Sequence, residues 1–256
     1  MNYFTKEWYE LCQKTSAHLL LVEEEEAESF SEEYFQQLYN QKLTELLDEE
    51  EVASYQTERE AEIESYISYE QFDREKVSKQ IYEGFIIRLE HIKKILPEEI
   101  LKTIADIRVF ALNKASRQVI NAVTRYCEEN RKLVKRTVKE YGEYYKEALK
   151  SFDRDMVRNM NFHDCTIVDI KQTEQCLTIL FDNSGGFTDI DEMQFENYKI
   201  IKLDGLLQTS TWLYDEIYKT NGKYELHILL WNSMDLLEFV VSAEQISFKH
   251  NQETSS

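Results

Sequence analysis

Residues 151–170 read SFDRDMVRNMNFHDCTIVDI, and within this stretch the spacing of apolar side chains changes from a helical to a two-residue rhythm. On its N-terminal side Val134, Val138, Tyr141, Tyr145 and Leu149 recur every three or four residues, as on one face of a helix. On its C-terminal side CTIVDIKQ (165–172) and CLTILFDN (176–183) are short runs rich in β-branched and aromatic residues, separated by turn-forming polar residues. The change sets an expected domain boundary around 155–161. The expected class is α+β, with an all-α helical bundle over 1–158 followed by an antiparallel β-sheet or sandwich domain over 159–256.

The chain-breaking residues follow the same division. The first 158 residues contain only Gly84, Gly142 and Pro97, whereas Gly185, Gly186, Gly205 and Gly222 all lie beyond. Upstream, Trp8, Leu11, Thr15, Leu19 and Val22 keep helical spacing, with Thr5 as N-cap and Phe4 as staple. Ser31 is placed to cap a second helix with the stripe Phe35, Tyr39, Leu43 and Leu46. Asp73 is placed to cap a third, carrying Val77, Ile81, Phe85, Leu89, Ile92 and Leu96. Pro97 ends that helix and suits the first turn of the next, PEEILKTIADIRVFAL (97–112), where Glu98 and Glu99 complement the helix dipole. Ala115, Val119, Val123 and Tyr126 predict a fifth helix, and the stripe Val134–Leu149 a sixth.

Downstream, YKIIKL (198–203), WLYDEIYK (212–219), KYELHILLW (223–231), LLEFVVSA (236–243) and QISFKH (245–250) also read as strands. WLYDEIY is short enough to be a helix instead. Asn183-Ser184-Gly185-Gly186 marks a turn, and Asn221-Gly222 favours a two-residue hairpin turn of the primed type.

Composition excludes several classes. The 256 residues carry 49 acidic and 30 basic side chains, a formal charge of −19. Six Gly and one Pro, where average usage gives roughly 18 and 13, exclude collagen-like and low-complexity chains. Sixteen Tyr, 13 Phe and three Trp supply apolar area that a disordered chain lacks. So negative a chain repels phosphate backbones and anionic headgroups, so neither a nucleic-acid nor a membrane partner is expected. No apolar run reaches the ~18 residues of a membrane span, and the opening MNYFTKEWYELCQK is no secretory signal. Cys12, Cys127, Cys165 and Cys176 lie far apart and form no CxxC pair, as expected of reduced thiols in the cytoplasm. Charge is segregated: −15 over 1–70, +6 over 71–158 and −10 over 159–256. The basic cluster Arg125, Arg131, Lys132, Lys135, Arg136 and Lys139 either solvates a helical face or docks an acidic surface.

No phosphate loop, nucleophile elbow or zinc spacing occurs, so no catalytic residue, metal ligand or cofactor is assigned. Glu23–Glu26 do not form a cage, because successive helical residues point in different directions. Cys127 reads as a packing residue. One constellation remains, Phe162-His163-Asp164-Cys165 at the start of the first strand of the β region. On a strand His163 and Asp164 point to opposite faces; at a turn they could share a site. Its structural alternative has Asp164 bonding local amides. Trp212, Tyr214, Tyr218, Tyr224 and Trp231 concentrate aromatic area around the hairpin beside Asp215, Glu216 and Glu225, which would suit a protein partner if exposed. His163, Asp164, Trp212, Tyr214, Glu216 and His227 are therefore the candidate polar or binding residues.

The stretches NYFTKEWYELCQ, ADIRVFALNKAS, FHDCTIVDI, WLYDEIYK and YELHILL resemble a bacterial family common in bacilli, domain of unknown function 4085. That resemblance runs to about Lys249 and implies no activity or catalytic residue. The FHDC start is also similar to that of β-rich immunity proteins of bacterial toxin systems. The expected function is a non-enzymatic protein-binding module, immunity-like, whose partner is a basic toxin or other basic protein. The alternatives are a hydrolase or metal-dependent enzyme using His163 and Asp164, and a scaffold that oligomerises through its helices.

Overall fold

A computed structural model describes residues 1–63, 71–233 and 235–250, without the side chains of residues 58–63. In chain order its helical half contains α1 (Lys6–Cys12), β1 (Val22–Glu23), α2 (Glu32–Ile63), α3 (Arg74–Ile95), α4 (Glu98–Leu101), α5 (Ile107–Ala111), β2 (Lys114–Ala115), α6 (Arg117–Ala148) and α7 (Arg154–Asn159). The strands β3 (Thr166–Gln172), β4 (Cys176–Asp182), β5 (Ile190–Glu196), β6 (Lys199–Leu203), β7 (Thr211–Thr220), β8 (Lys223–Trp231), β9 (Leu236–Ala243) and β10 (Gln245–His250) follow. The class is α+β: helices occupy mostly the N-terminal half, and an eight-stranded antiparallel sheet the C-terminal part.

By proximity the chain forms two compact units. One joins Met1–Cys12 to Lys132–Ser256, and the other is Gln13–Arg131. Secondary structure does change character beside residue 158, but the compact units divide elsewhere. The division runs through α6, because the expected fifth and sixth helices are one helix of 32 residues with no breaker between them.

In the Gln13–Arg131 unit, Ser31 accepts a bond from Tyr34 N at 3.2 Å, and Asp73 accepts from Glu75 and Lys76 N at 3.0 and 3.1 Å, so both expected caps form. Arg74 reaches back from α3 to Asp48 and Glu51 on α2, tying two antiparallel helices. The buried α3 face, Leu89, Ile92, Ile95 and Leu96, packs with Val119, Val123 and Cys127 of α6. Two expectations fail here. PEEILKTIADIRVFAL is two short helices, since Asp106 turns its carboxylate to Arg108 N at 2.9 Å and restarts the chain as an N-cap. The stripe from Trp8 to Val22 is helical only as far as Cys12. Val22 N and Glu24 N instead bond Asn113 O and Ala115 O at 2.8 and 3.0 Å, so β1 pairs in parallel with β2 among the helices.

In the other unit the strand order is β10-β5-β4-β3-β7-β8-β9-β6, with every neighbour antiparallel. Asn221 and Gly222 have φ of 53° and 81°, the primed turn that joins β7 to β8. WLYDEIYK is strand. One core runs through the sheet, with Phe162, Ile167, Ile179, Phe195, Trp212, Ile228 and Phe239 fully buried. β3 pairs with β7 only around Thr166 and Thr211, which leaves most of the β7 edge open on that side. Tyr141 and Tyr144 of α6 cover it: Ile217 N donates to Tyr141 at 3.2 Å, and Tyr144 donates to Ile217 O at 3.1 Å. Among the described residues no helix is long and apolar enough to cross a membrane.

Candidate functional site

β7 positions most of the sequence-selected residues, and it sends them to different places. A bulge between Trp212 and Tyr214 shifts the register against β8, so Trp212 and Leu213 are both buried. Trp212 lies in the core against Phe162 and Phe181, its Nε1 donating to Asp215 at 3.0 Å. It is not available as a docking surface. Asp215 shares the core-facing side with Ile228, and desolvation raises its carboxyl to about 6, with Glu216 adding to the rise and Trp212 opposing it.

Glu216 points to the opposite side and is fully buried. One oxygen accepts from Tyr3 N at 2.8 Å and Phe4 N at 2.6 Å; the other accepts from Asn2 N at 2.8 Å and the Tyr218 hydroxyl at 2.5 Å. The carboxylate therefore binds the chain's own N-terminal backbone. Phe4 and Trp8 complete the clasp, packing against Tyr214 at centroid distances of 5.5 and 4.9 Å, Phe4 tilted and Trp8 edge-on. Residues 2–8 thus occupy the Tyr214, Glu216 and Tyr218 part of the aromatic-acidic surface expected for a partner, while Trp231 stays exposed. Burial accordingly raises the Tyr214 phenol.

His227 faces Glu216 across the β7–β8 register. Its Nε2 meets Glu225 at 2.6 Å, its ring lies 4.9 Å from Tyr218, and its buried Nδ1 has no hydrogen-bond partner. At the start of β3, Asp164 adopts φ of 65°, so His163 and Asp164 sit on a turn. His163 Nδ1 bonds Leu213 O, and its ring lies beside Tyr214 and Phe187. Its Nε2 stands 3.6 Å from Asp164, longer than a hydrogen bond. Burial pushes both neighbouring thiols, Cys12 and Cys165, up to about 11, which keeps them protonated at neutral pH. The turn brings His163, Asp164 and Tyr214 together, and Trp212 joins them through its backbone, its carbonyl accepting from Asp164 N at 2.8 Å; Glu216 and His227 lie apart from them. Among the described residues no group of three His, Cys, Asp or Glu side chains converges to hold a metal ion.

A feature the sequence did not single out is larger. A cleft of about 920 Å³ opens between α7, the 187–190 loop and β10. Asp153, Asp155, Asp189 and Glu244 line it with Phe187, Tyr224 and Phe248, and Arg158 and His250 also border it; Glu244 is paired with Lys223 at 3.0 Å and Asp189 stands 3.1 Å from His250 Nδ1. Local bonds fix its walls. Asp153 caps α7 through Asp155 N at 3.0 Å, Tyr224 accepts from Asp153 N at 2.8 Å, and Asn161 holds Phe187 O at 3.1 Å. Asp153-Arg154-Asp155 was visible in the sequence, but nothing there placed it opposite β10.

The basic cluster on α6 finds partners along its own helix, Arg136 with Glu140 at 3.7 Å and Lys139 with Glu143 at 3.8 Å. Arg131 donates to Thr15 O at 2.8 Å.

Fold and surface together define an acidic α+β protein with a helical N-terminal half and one antiparallel sheet. The family model described as a protein of unknown function (DUF4085) matches residues 55–236, and the chain belongs to that family. No curated protein and no solved structure matches it significantly.

Proposed function

We propose that the protein is a non-enzymatic protein-binding module of the cytoplasm whose partner is a basic protein, a basic toxin being the immunity-like case. The observation that carries this reading is the cleft beside α7, where four carboxylates and three aromatic rings border a concave surface. Carboxylates attract Lys and Arg from a distance, and aromatic faces hold them at contact. The formal charge of −19 adds long-range steering. All four cysteines are free thiols, which is consistent with a reducing compartment.

A fluorescein-labelled, Lys/Arg-rich 12-residue peptide tests it by anisotropy on the full chain. Binding should be saturable, should fall with salt, and should weaken about tenfold in the Asp155→Asn/Asp189→Asn variant. Glu49→Gln/Glu50→Gln on exposed α2 should leave it unchanged. Equal loss in both variants would show attraction by net charge alone and would refute the assigned cleft.

A further inference from the structure

We propose that the groove between α2 and α3 in the Gln13–Arg131 unit binds an anionic amphiphile, an acyl chain ending in a carboxylate, with the headgroup at Arg88 and Asn113. The groove encloses about 350 Å³, within the ordinary range for small-ligand sites. Its walls are apolar: Tyr39, Leu43 and Leu46 from α2, Ile81 and Phe85 from α3, and Leu112.

Two independent features point to an occupant. Gly84 sits in the interior of α3, where glycine weakens a helix, and it lines this groove. A Cβ placed there meets nothing within 4 Å, so no neighbour among the described residues requires its absence. Glycine instead keeps the floor of the groove open.

Charge is the second feature. Forty-nine of 256 residues are acidic, yet none of those lining this groove is. The charged members are Lys42 and Arg88. Lys42 is held by Glu45 at 3.1 Å. Arg88 donates to Asn113 and, among the described residues, meets no carboxylate. Partial desolvation also lowers its pKa. Antiparallel packing of α2 on α3 puts Leu46 and Ile81 toward one end of the groove and Arg88 with Asn113 at the other. A single anionic head followed by an apolar tail fits that polarity.

The test is calorimetric titration of the full chain with dodecanoate below its micellar concentration, against dodecyltrimethylammonium and dodecyl maltoside. Dodecanoate should bind at one site, and the other two heads at least tenfold more weakly. Arg88→Gln should weaken dodecanoate about tenfold. Gly84→Leu should abolish binding. Gly84→Ala should weaken it several-fold with a melting temperature no lower than that of the parent, which guards against a folding defect. Asp155→Asn/Asp189→Asn should leave it unchanged, so this site and the acidic cleft fail separately. No dodecanoate binding, equal binding of all three heads, or binding indifferent to both Gly84 variants would overturn the proposal.

Discussion

Glu216→Gln is the most informative single change in the sheet unit. The buried carboxylate accepts four bonds of 2.5–2.8 Å, three of them from the Asn2, Tyr3 and Phe4 amides. Gln keeps one acceptor oxygen and turns an NH₂ group toward donors, so about two charge-assisted bonds are lost. At about 1.5–3 kcal/mol each, discounted for release of the segment to water, the loss is ~3 kcal/mol. That is a large share of a typical stability of about 5–15 kcal/mol. The loss should be local first, because residues 2–8 can detach while the sheet stays folded. Urea unfolding followed by circular dichroism gives the free energy. Tryptic cleavage after Lys6 should accelerate, and tryptophan emission should shift to the red as Trp8, 7% exposed in the fold, meets water. A Glu216→Gln variant within about 0.5 kcal/mol of the parent, with unchanged cleavage, would refute the argument that this carboxylate holds the N-terminal segment.

Three further outcomes follow from single contacts. Asp215 is raised from 3.8 to about 6 in the fold; the folded state therefore holds its proton more tightly, and this contribution is fully present below pH ~4 and lost as pH rises through ~6. Asp215→Asn should stabilise the protein at pH 7.5 by ~2 kcal/mol and flatten the wild-type decline between pH 4 and 6, as read from urea midpoints. A Cβ at Gly186 would lie 2.3 Å from the Cys165 sulfur and 3.2 Å from His163 O; Gly186→Ala should cost about 1–3 kcal/mol, and Gly186→Ala/Cys165→Ala should be more stable than the two single losses added together. Asp73→Ala removes two cap bonds from α3 and should cost about 1 kcal/mol in thermal melts.

The features legible in the sequence were those fixed by near neighbours. Ser31, Asp73 and Asn221-Gly222 act over two to four residues, and all three behave as their side chains dictate. β5 was missed because IDEMQFE is acidic and does not alternate: Ile190, Met193 and Phe195 are buried, and its pairing with β10 slips between Lys249 and His250. Thr15, Leu19 and Val22 kept helical spacing by coincidence; strand pairing with β2 claimed Val22. In the candidate site, the sequence left open whether His163 and Asp164 lie on a strand or at a turn, and the positive φ of Asp164 makes it a turn. The role of Glu216 was not legible, since three of its four partners lie more than 200 positions away and are backbone amides that carry no sequence signal. The acidic cleft depends in the same way on α7 meeting β10, a long-range event that no periodicity encodes.

The functional account rests on where a basic partner lands. Titrating the ¹⁵N-labelled full chain with the Lys/Arg-rich peptide and following amide shifts tests this directly. The account predicts shifts concentrated at residues 153–161, 187–190 and 244–250; shifts spread over the acidic faces of α2, with that region silent, would contradict it.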